Sequence, residues 1–128
     1  EFRSHFHLQV ADDTLVYHSD KLKWAAAIYL TPDAPPECGT SLLKSKITGL
    51  RDYPTVEDVK RLGKSAQELI SNAYTNNVVD ASKWEQIDKM ANVYNRCVIW
   101  RGTLPHAVSG CFGHNDETGR LVQLFFFD

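Results

Sequence analysis

Apolar and polar residues alternate with the two-residue period of β-strands over most of this chain, and turn formers punctuate the runs. Residues 6–10 and 14–17 are β-rich and separated by Asp12-Asp13, which predicts a hairpin. Trp24-Ala25-Ala26-Ala27-Ile28-Tyr29-Leu30 is a continuous apolar run. Its Ile-Tyr-Leu end, leading into Thr31-Pro32, favours a buried strand over a helix. Residues 31–39 hold Pro32, Pro35, Pro36 and Gly39 and read as a loop, and 40–46 as the next strand.

Thr55-Val56-Glu57-Asp58 reads as a helix N-cap with acidic residues in the first turn, and Val59, Leu62, Ala66, Leu69 and Ile70 then fall along one face. This helical insert covers about 55–74, and Gly63 inside it predicts a break. Of residues 84–94 the first part reads as irregular and 91–94 as a strand. Residues 96–100 form a strand, Arg101-Gly102 a turn, 106–109 a short strand, 110–119 a loop and 120–127 the last strand. About eight strands and one helical insert predict a mainly β fold, a two-sheet barrel or jelly roll, in a single domain over 1–128.

Composition narrows the function classes. The 128 residues suffice for one core, and 43% hydrophobic with 23% charged residues is ordinary for a soluble globular protein. A formal charge of −2 leaves no basic footprint for nucleic acid, and no apolar run approaches the roughly 20 residues that span a bilayer. Neither a nucleic-acid nor a membrane partner is expected. Cys38, Cys97 and Cys111 form no C-x-x-C pair and are odd in number, so no disulfide framework is expected and a reducing cytoplasm is the expected compartment. Cys97, Cys111 and His114 match no standard zinc spacing. The start at Glu1-Phe2, without Met, predicts a fragment or processed product.

The candidate chemistry sits at the two ends of the chain. His18-Ser19-Asp20 places two metal-ligating side chains at i and i+2, on one face of an extended segment. His106, from a distant strand, completes the two-imidazole, one-carboxylate set of a non-haem Fe(II) site with open positions. Chance alone supplies about 0.4 His-x-Asp triplets in a chain of this composition, so the triplet carries weight only through its context. Arg120 opens the apolar strand Leu121-Val122-Gln123-Leu124-Phe125-Phe126-Phe127, where an inward guanidinium needs an anionic partner such as a dicarboxylate. His5-Phe6-His7 is half of a cupin-like metal motif without its remaining ligands, and reads as two strand histidines. His114 and Asp116 read as solvated loop residues, and Trp24 and Trp100 as core or pocket wall.

In this order the pieces resemble a 2-oxoglutarate/Fe(II)-dependent dioxygenase of the prolyl-hydroxylase-like branch, over about residues 6–128. The resemblance rests on His18-Ser19-Asp20, Ala27-Ile28-Tyr29-Leu30-Thr31, Cys38-Gly39-Thr40-Ser41-Leu42, Asn95-Arg96-Cys97-Val98-Ile99-Trp100-Arg101-Gly102, Pro105-His106-Ala107-Val108, and the last strand from Gly119-Arg120 to Asp128. The nearest likeness is a bacterial branch of unassigned substrate. The resemblance implies a double-stranded β-helix in which His18, Asp20 and His106 hold Fe(II). Arg120 and Tyr29 would hold the distal carboxylate of 2-oxoglutarate, with ascorbate as a candidate reductant. It implies a hydroxylase that couples decarboxylation of 2-oxoglutarate to C–H oxidation of a small-molecule or protein substrate, as a monomer or homodimer.

Two departures stand out. Arg120 follows His106 by 14 positions rather than the family's usual nine to eleven or so, which makes Arg101 a rival for the carboxylate. The family's N-terminal supporting helices are absent from this chain. The competing readings are a metal-free ligand- or partner-binding β-helix domain and a cupin-like metalloenzyme. The charged face of the helical insert reads as solvated, or as a lid.

Overall fold

A computed structural model describes all residues from Glu1 to Asp128. Seven strands, β1 (Phe2–Gln9), β2 (Trp24–Tyr29), β3 (Thr40–Ser45), β4 (Trp84–Met90), β5 (Cys97–Arg101), β6 (His106–Val108) and β7 (Arg120–Phe127), form two antiparallel sheets. The first sheet has the order β1-β7-β2-β5 and the second β4-β3-β6. The fold is mainly β with a helical insert, and the sheets do not close into a barrel. An isolated bridge between His18 and His106 adds one residue pair to the free edge of the second sheet, beside β6. No helix is long and apolar enough to cross a membrane.

The two-residue period decides what the first sheet buries. Ala25, Ala27 and Tyr29 of β2, Trp100 of β5 and Val122 of β7 share its inner face and make one core cluster, with Val98, Leu124 and Phe126 packed against it. The small alanines leave room between the sheets, and Ala27 lines the cleft described below. The alternate residues Phe2, Phe6 and Ile99 stand on the outer face and are exposed. A second cluster, Leu43, Trp84, Ala107 and Ala73, fastens the insert to the second sheet.

The insert follows its local signals. Thr55 caps helix α1 (Val56–Leu62) in a reciprocal capping box with Asp58. Gly63 ends it in the left-handed conformation at φ 64°, so the expected break is a change of helix. Ser65 then caps α2 (Ala66–Tyr74), which buries Leu69 and Ala73.

Two sequence expectations are corrected. The turn at Asp12-Asp13 exists, with the Asp13 N–H donating to the Val10 carbonyl, but 14–17 does not pair back in a hairpin. β1 is longer than expected and takes β7 as its partner, Phe2 opposite Phe127 through Gln9 opposite Arg120. Residues 84–94 differ from the expected order: Trp84–Met90 is the strand and 91–94 is loop. A bulge explains the first half, because Leu42 pairs with Asp88 but Leu43 with Gln86, leaving Ile87 as an extra residue that breaks the alternation. Asn92 and Asn95 explain the second. Asn92 is buried and donates from its amide to the Cys38 carbonyl, and Asn95 turns at φ 64°.

Gly39 marks a point where backbones touch. A Cβ there would lie 1.8 Å from the Met90 carbonyl oxygen, which is fixed in the second sheet. Gly39→Ala is expected to cost about 2–3 kcal/mol, read as a lower urea midpoint with an unchanged slope.

Candidate metal centre

Two stretches of backbone bring the site together. His18 and His106 exchange both main-chain hydrogen bonds, His18 N to His106 O at 3.0 Å and His106 N to His18 O at 2.8 Å. Their rings therefore leave the sheet side by side, with centroids 4.4 Å apart. Asp20, two residues on, is tied by its N–H to the Gly102 carbonyl at 2.7 Å and turns its carboxylate toward both rings. Asp20 Oδ1 lies 3.5 Å from His18 Nε2, and Oδ2 lies 3.1 Å from His106 Nε2. One ligating atom from each of the three residues lies within 4.8 Å of the other two.

Hydrogen bonding sets which ring nitrogens are free. His18 Nδ1 is 3.0 Å from the Val16 carbonyl and His106 Nδ1 is 2.7 Å from the Leu104 carbonyl. A carbonyl only accepts, so each Nδ1 carries a proton and each neutral ring presents its Nε2 lone pair to the carboxylate. Asp20 Oδ2 is accordingly buried beside a nitrogen yet has no hydrogen-bond donor. Two lone pairs facing a buried carboxylate repel unless a cation sits among them. A proton on His18 answers this in part, and a divalent metal answers it for all three groups. The donor set and its outer-shell carbonyls thus fit a metal.

The protonation state follows from the same contacts. Burial lowers the pKa of His18, but its hydrogen bonds to Asp20 and the Val16 carbonyl outweigh this and raise it above the ordinary 6.5. Burial raises the pKa of Asp20, but in the metal-free protein the His106 and His18 imidazoles beside its carboxylate, when protonated, hold it well below the usual 3.8. Charged His18 therefore stabilises the metal-free protein fully below pH 6.5, and this fades as pH rises through the folded value. Charged Asp20 contributes above pH 3.8, and this is lost as pH falls through the folded value. Urea denaturation of metal-free protein is expected to show the cluster's largest contribution between about pH 4 and 6.5. Metal affinity is expected to climb as pH rises past that window, since the metal must displace a proton.

From the triad a cleft of about 180 Å³ runs between the sheets, lined by His18 and His106 at one place and by Thr40 and Arg120 at another. Trp100 stands edge-on to His106 at 5.2 Å and forms part of the wall, as expected. Arg120 is 2% exposed. Its Nε donates to the Cys38 carbonyl at 2.8 Å, one terminal nitrogen to Gly39 at 3.0 Å and the other to Gln9 Oε1 at 3.2 Å. None of these acceptors carries charge, and two of the five N–H groups are left over. A buried cation so placed has capacity for an anion in the cleft.

Tyr29 lies under the guanidinium, with the Arg120 carbon 5.7 Å from its ring centre. Its hydroxyl, however, bonds Thr40 Oγ1 at 2.8 Å, and Tyr29 does not line the cleft. Arg101 is half exposed, pairs with Asp52 and lies outside the cleft. His5 and His7 do line it, on β1. Burial and the nearby Arg120 push the His7 pKa down, which favours its neutral ring. Gln9 and Thr40 carry no sequence signal of their own, and the His5-Phe6-His7 half-motif signals a metal rather than a cleft wall. Gln9 becomes legible only once β1 is known to pair with β7, which sets it opposite Arg120.

The fold and site define a two-sheet antiparallel β protein with a two-histidine, one-carboxylate cluster at the mouth of an interior cleft. Residues 10–127 match DUF6445, a family of unknown function, and the chain belongs to that family. No curated protein and no solved structure matches it.

Proposed function

We propose that this protein is an Fe(II)- and 2-oxoglutarate-dependent oxygenase, a hydroxylase of a substrate still to be identified. The observation that carries the reading is the convergence of His18 Nε2, His106 Nε2 and the Asp20 carboxylate, with a buried, incompletely paired arginine lining the same cleft. When bound, Fe(II) on three protein ligands would offer three further positions for keto-acid chelation and dioxygen activation.

The chain's own residues do the remaining work. His18 and His106, held by the carbonyls of Val16 and Leu104, keep fixed tautomers and present preset lone pairs. Arg120 anchors the far carboxylate of the cosubstrate by its spare N–H groups, so the keto-acid end points at the triad. Tyr29 holds Arg120 from below and would reach the carboxylate only by giving up Thr40. Ala27, Val122, Leu124 and Phe126 keep the cleft apolar and exclude water from the reacting end.

The winding of the chain supports the jelly-roll reading of the fold. Counting the His18 bridge as an eighth strand, successive strands pass from one sheet to the other except at the β3–β4 step. Succinate formation tests the proposal: Fe(II)-loaded protein in air, with ascorbate supplying the two electrons that a substrate would otherwise give, should convert 2-oxoglutarate to succinate and carbon dioxide, and Asp20→Asn should not. Equal succinate from both would refute it.

A further inference from the structure

Residues 46–83, between β3 and β4, take no part in the chemistry just described, yet beside Ala73 in the second core cluster and Asp52 on Arg101, several of their contacts gather on one short stretch of chain. Tyr74, the last residue of α2, shares a 2.9 Å hydrogen bond with Ser19 Oγ, between the two ligands of the His18-Ser19-Asp20 turn. The Tyr53 hydroxyl donates to the Asp20 carbonyl at 3.3 Å. The Val78 carbonyl accepts from the Tyr17 N–H at 2.7 Å. The Tyr74 ring packs on Trp84 at 5.2 Å, and Trp84 stacks on Tyr17 at 6.2 Å and 12°. Every one of these contacts lands on residues 17–20 or on the tryptophan beneath them.

That turn needs support. His18 meets the second sheet through one isolated bridge and Asp20 is tied by its N–H to Gly102, so no continuous strand fixes the direction of the side chains between them. Metal ligands must be held to within about 0.5 Å to bind well, a tolerance that one bridge and one further backbone bond do not secure. Tyr74 can supply the missing constraint. Tyr74 is half buried, and burial pushes its pKa up, so its hydroxyl stays protonated and able to bond Ser19.

We propose that the helical insert is a brace for the metal-binding turn, with Tyr74 and Tyr53 as positioning residues that hold His18 and Asp20 through Ser19 and the Asp20 carbonyl. The brace deepens the metal-centre reading and rests on it. It predicts that metal affinity depends on two hydroxyls that touch neither metal nor cosubstrate.

The test is a visible-absorbance titration of the full, metal-stripped chain with Co(II), a coloured probe that needs no turnover. Ser19→Ala and Tyr74→Phe should each weaken Co(II) binding about threefold to tenfold. The double variant should lose no more than the more affected single one, because both remove the same bond. Ser19→Thr, which keeps the hydroxyl, should restore wild-type affinity. A bond that serves folding alone would lower the melting temperature and leave the affinity of the folded protein unmoved. Wild-type affinity in both single variants, or effects that add in the double, would overturn the brace. If Tyr74→Phe does not fold, Ser19→Ala and its threonine rescue decide the matter alone. A wild-type chain that takes up no Co(II) would instead overturn the metal reading beneath it, so the two failures are distinct.

Discussion

His106→Ala is expected to weaken Fe(II) binding by more than about a hundredfold while the sheets remain folded. Outer-shell residues alone are commonly worth tenfold to a hundredfold in metal affinity, and His106 is itself one of only three ligands. Its removal also leaves Asp20 Oδ2 with no nitrogen at 3.1 Å, so the carboxylate loses the partner that aims it. The structural cost is smaller. The lost ring leaves the Leu104 carbonyl without its donor and a gap beside Trp100, together about 1–3 kcal/mol. The strand pairing of β6 with β3 and with His18 is made by backbone and survives. Metal binding by equilibrium dialysis, with circular dichroism on the same samples, separates the two effects.

Arg120 is expected to behave in the opposite way, with a large cost to the fold and a selective cost to cosubstrate. Arg120→Ala strips the Cys38 and Gly39 carbonyls and Gln9 Oε1 of a donor that is 2% exposed, and opens a void under β7. The combined loss is about 3–5 kcal/mol, or a fall in melting temperature of roughly 10–20 °C. Arg120→Lys isolates the functional part. It keeps the charge but not the planar fork, and cannot serve three acceptors and a carboxylate at once. Its Fe(II) affinity should match the wild type while 2-oxoglutarate affinity drops at least tenfold. Retention of full 2-oxoglutarate affinity in the lysine variant would remove the Arg120 fork as the anchor, whereas activity that survives Arg120→Ala and needs no 2-oxoglutarate would favour a cupin-like metalloenzyme.

The triad was legible because its donor set is written in residue types and chain order, and the structure brings His18, Asp20 and His106 together; Arg120 was legible as a cation opening an apolar strand, and it is buried there. The long strand at 120–127, the Thr55 cap and the Gly63 break were legible because caps, glycines and period-two alternation act locally. What could not be read are features that depend on pairing between distant segments. The extra residue at Ile87 disguised β4, since one bulge inverts the face of every residue beyond it. Gln9 acquires its role only through the register of β1 on β7, and Tyr53 and Tyr74 only through the folding of the insert against the ligand turn. Tyr29 was expected to hold the cosubstrate carboxylate; in the structure its hydroxyl is bonded to Thr40 and its ring supports Arg120 instead.

The most direct test of the account is an anaerobic titration of metal-stripped protein with Fe(II) and 2-oxoglutarate together, followed by visible absorbance. A charge-transfer band that saturates at one iron and one keto-acid per chain, and is absent in His106→Ala, is the predicted result. A folded wild-type protein that gives no band, or a band that persists in His106→Ala, would contradict it.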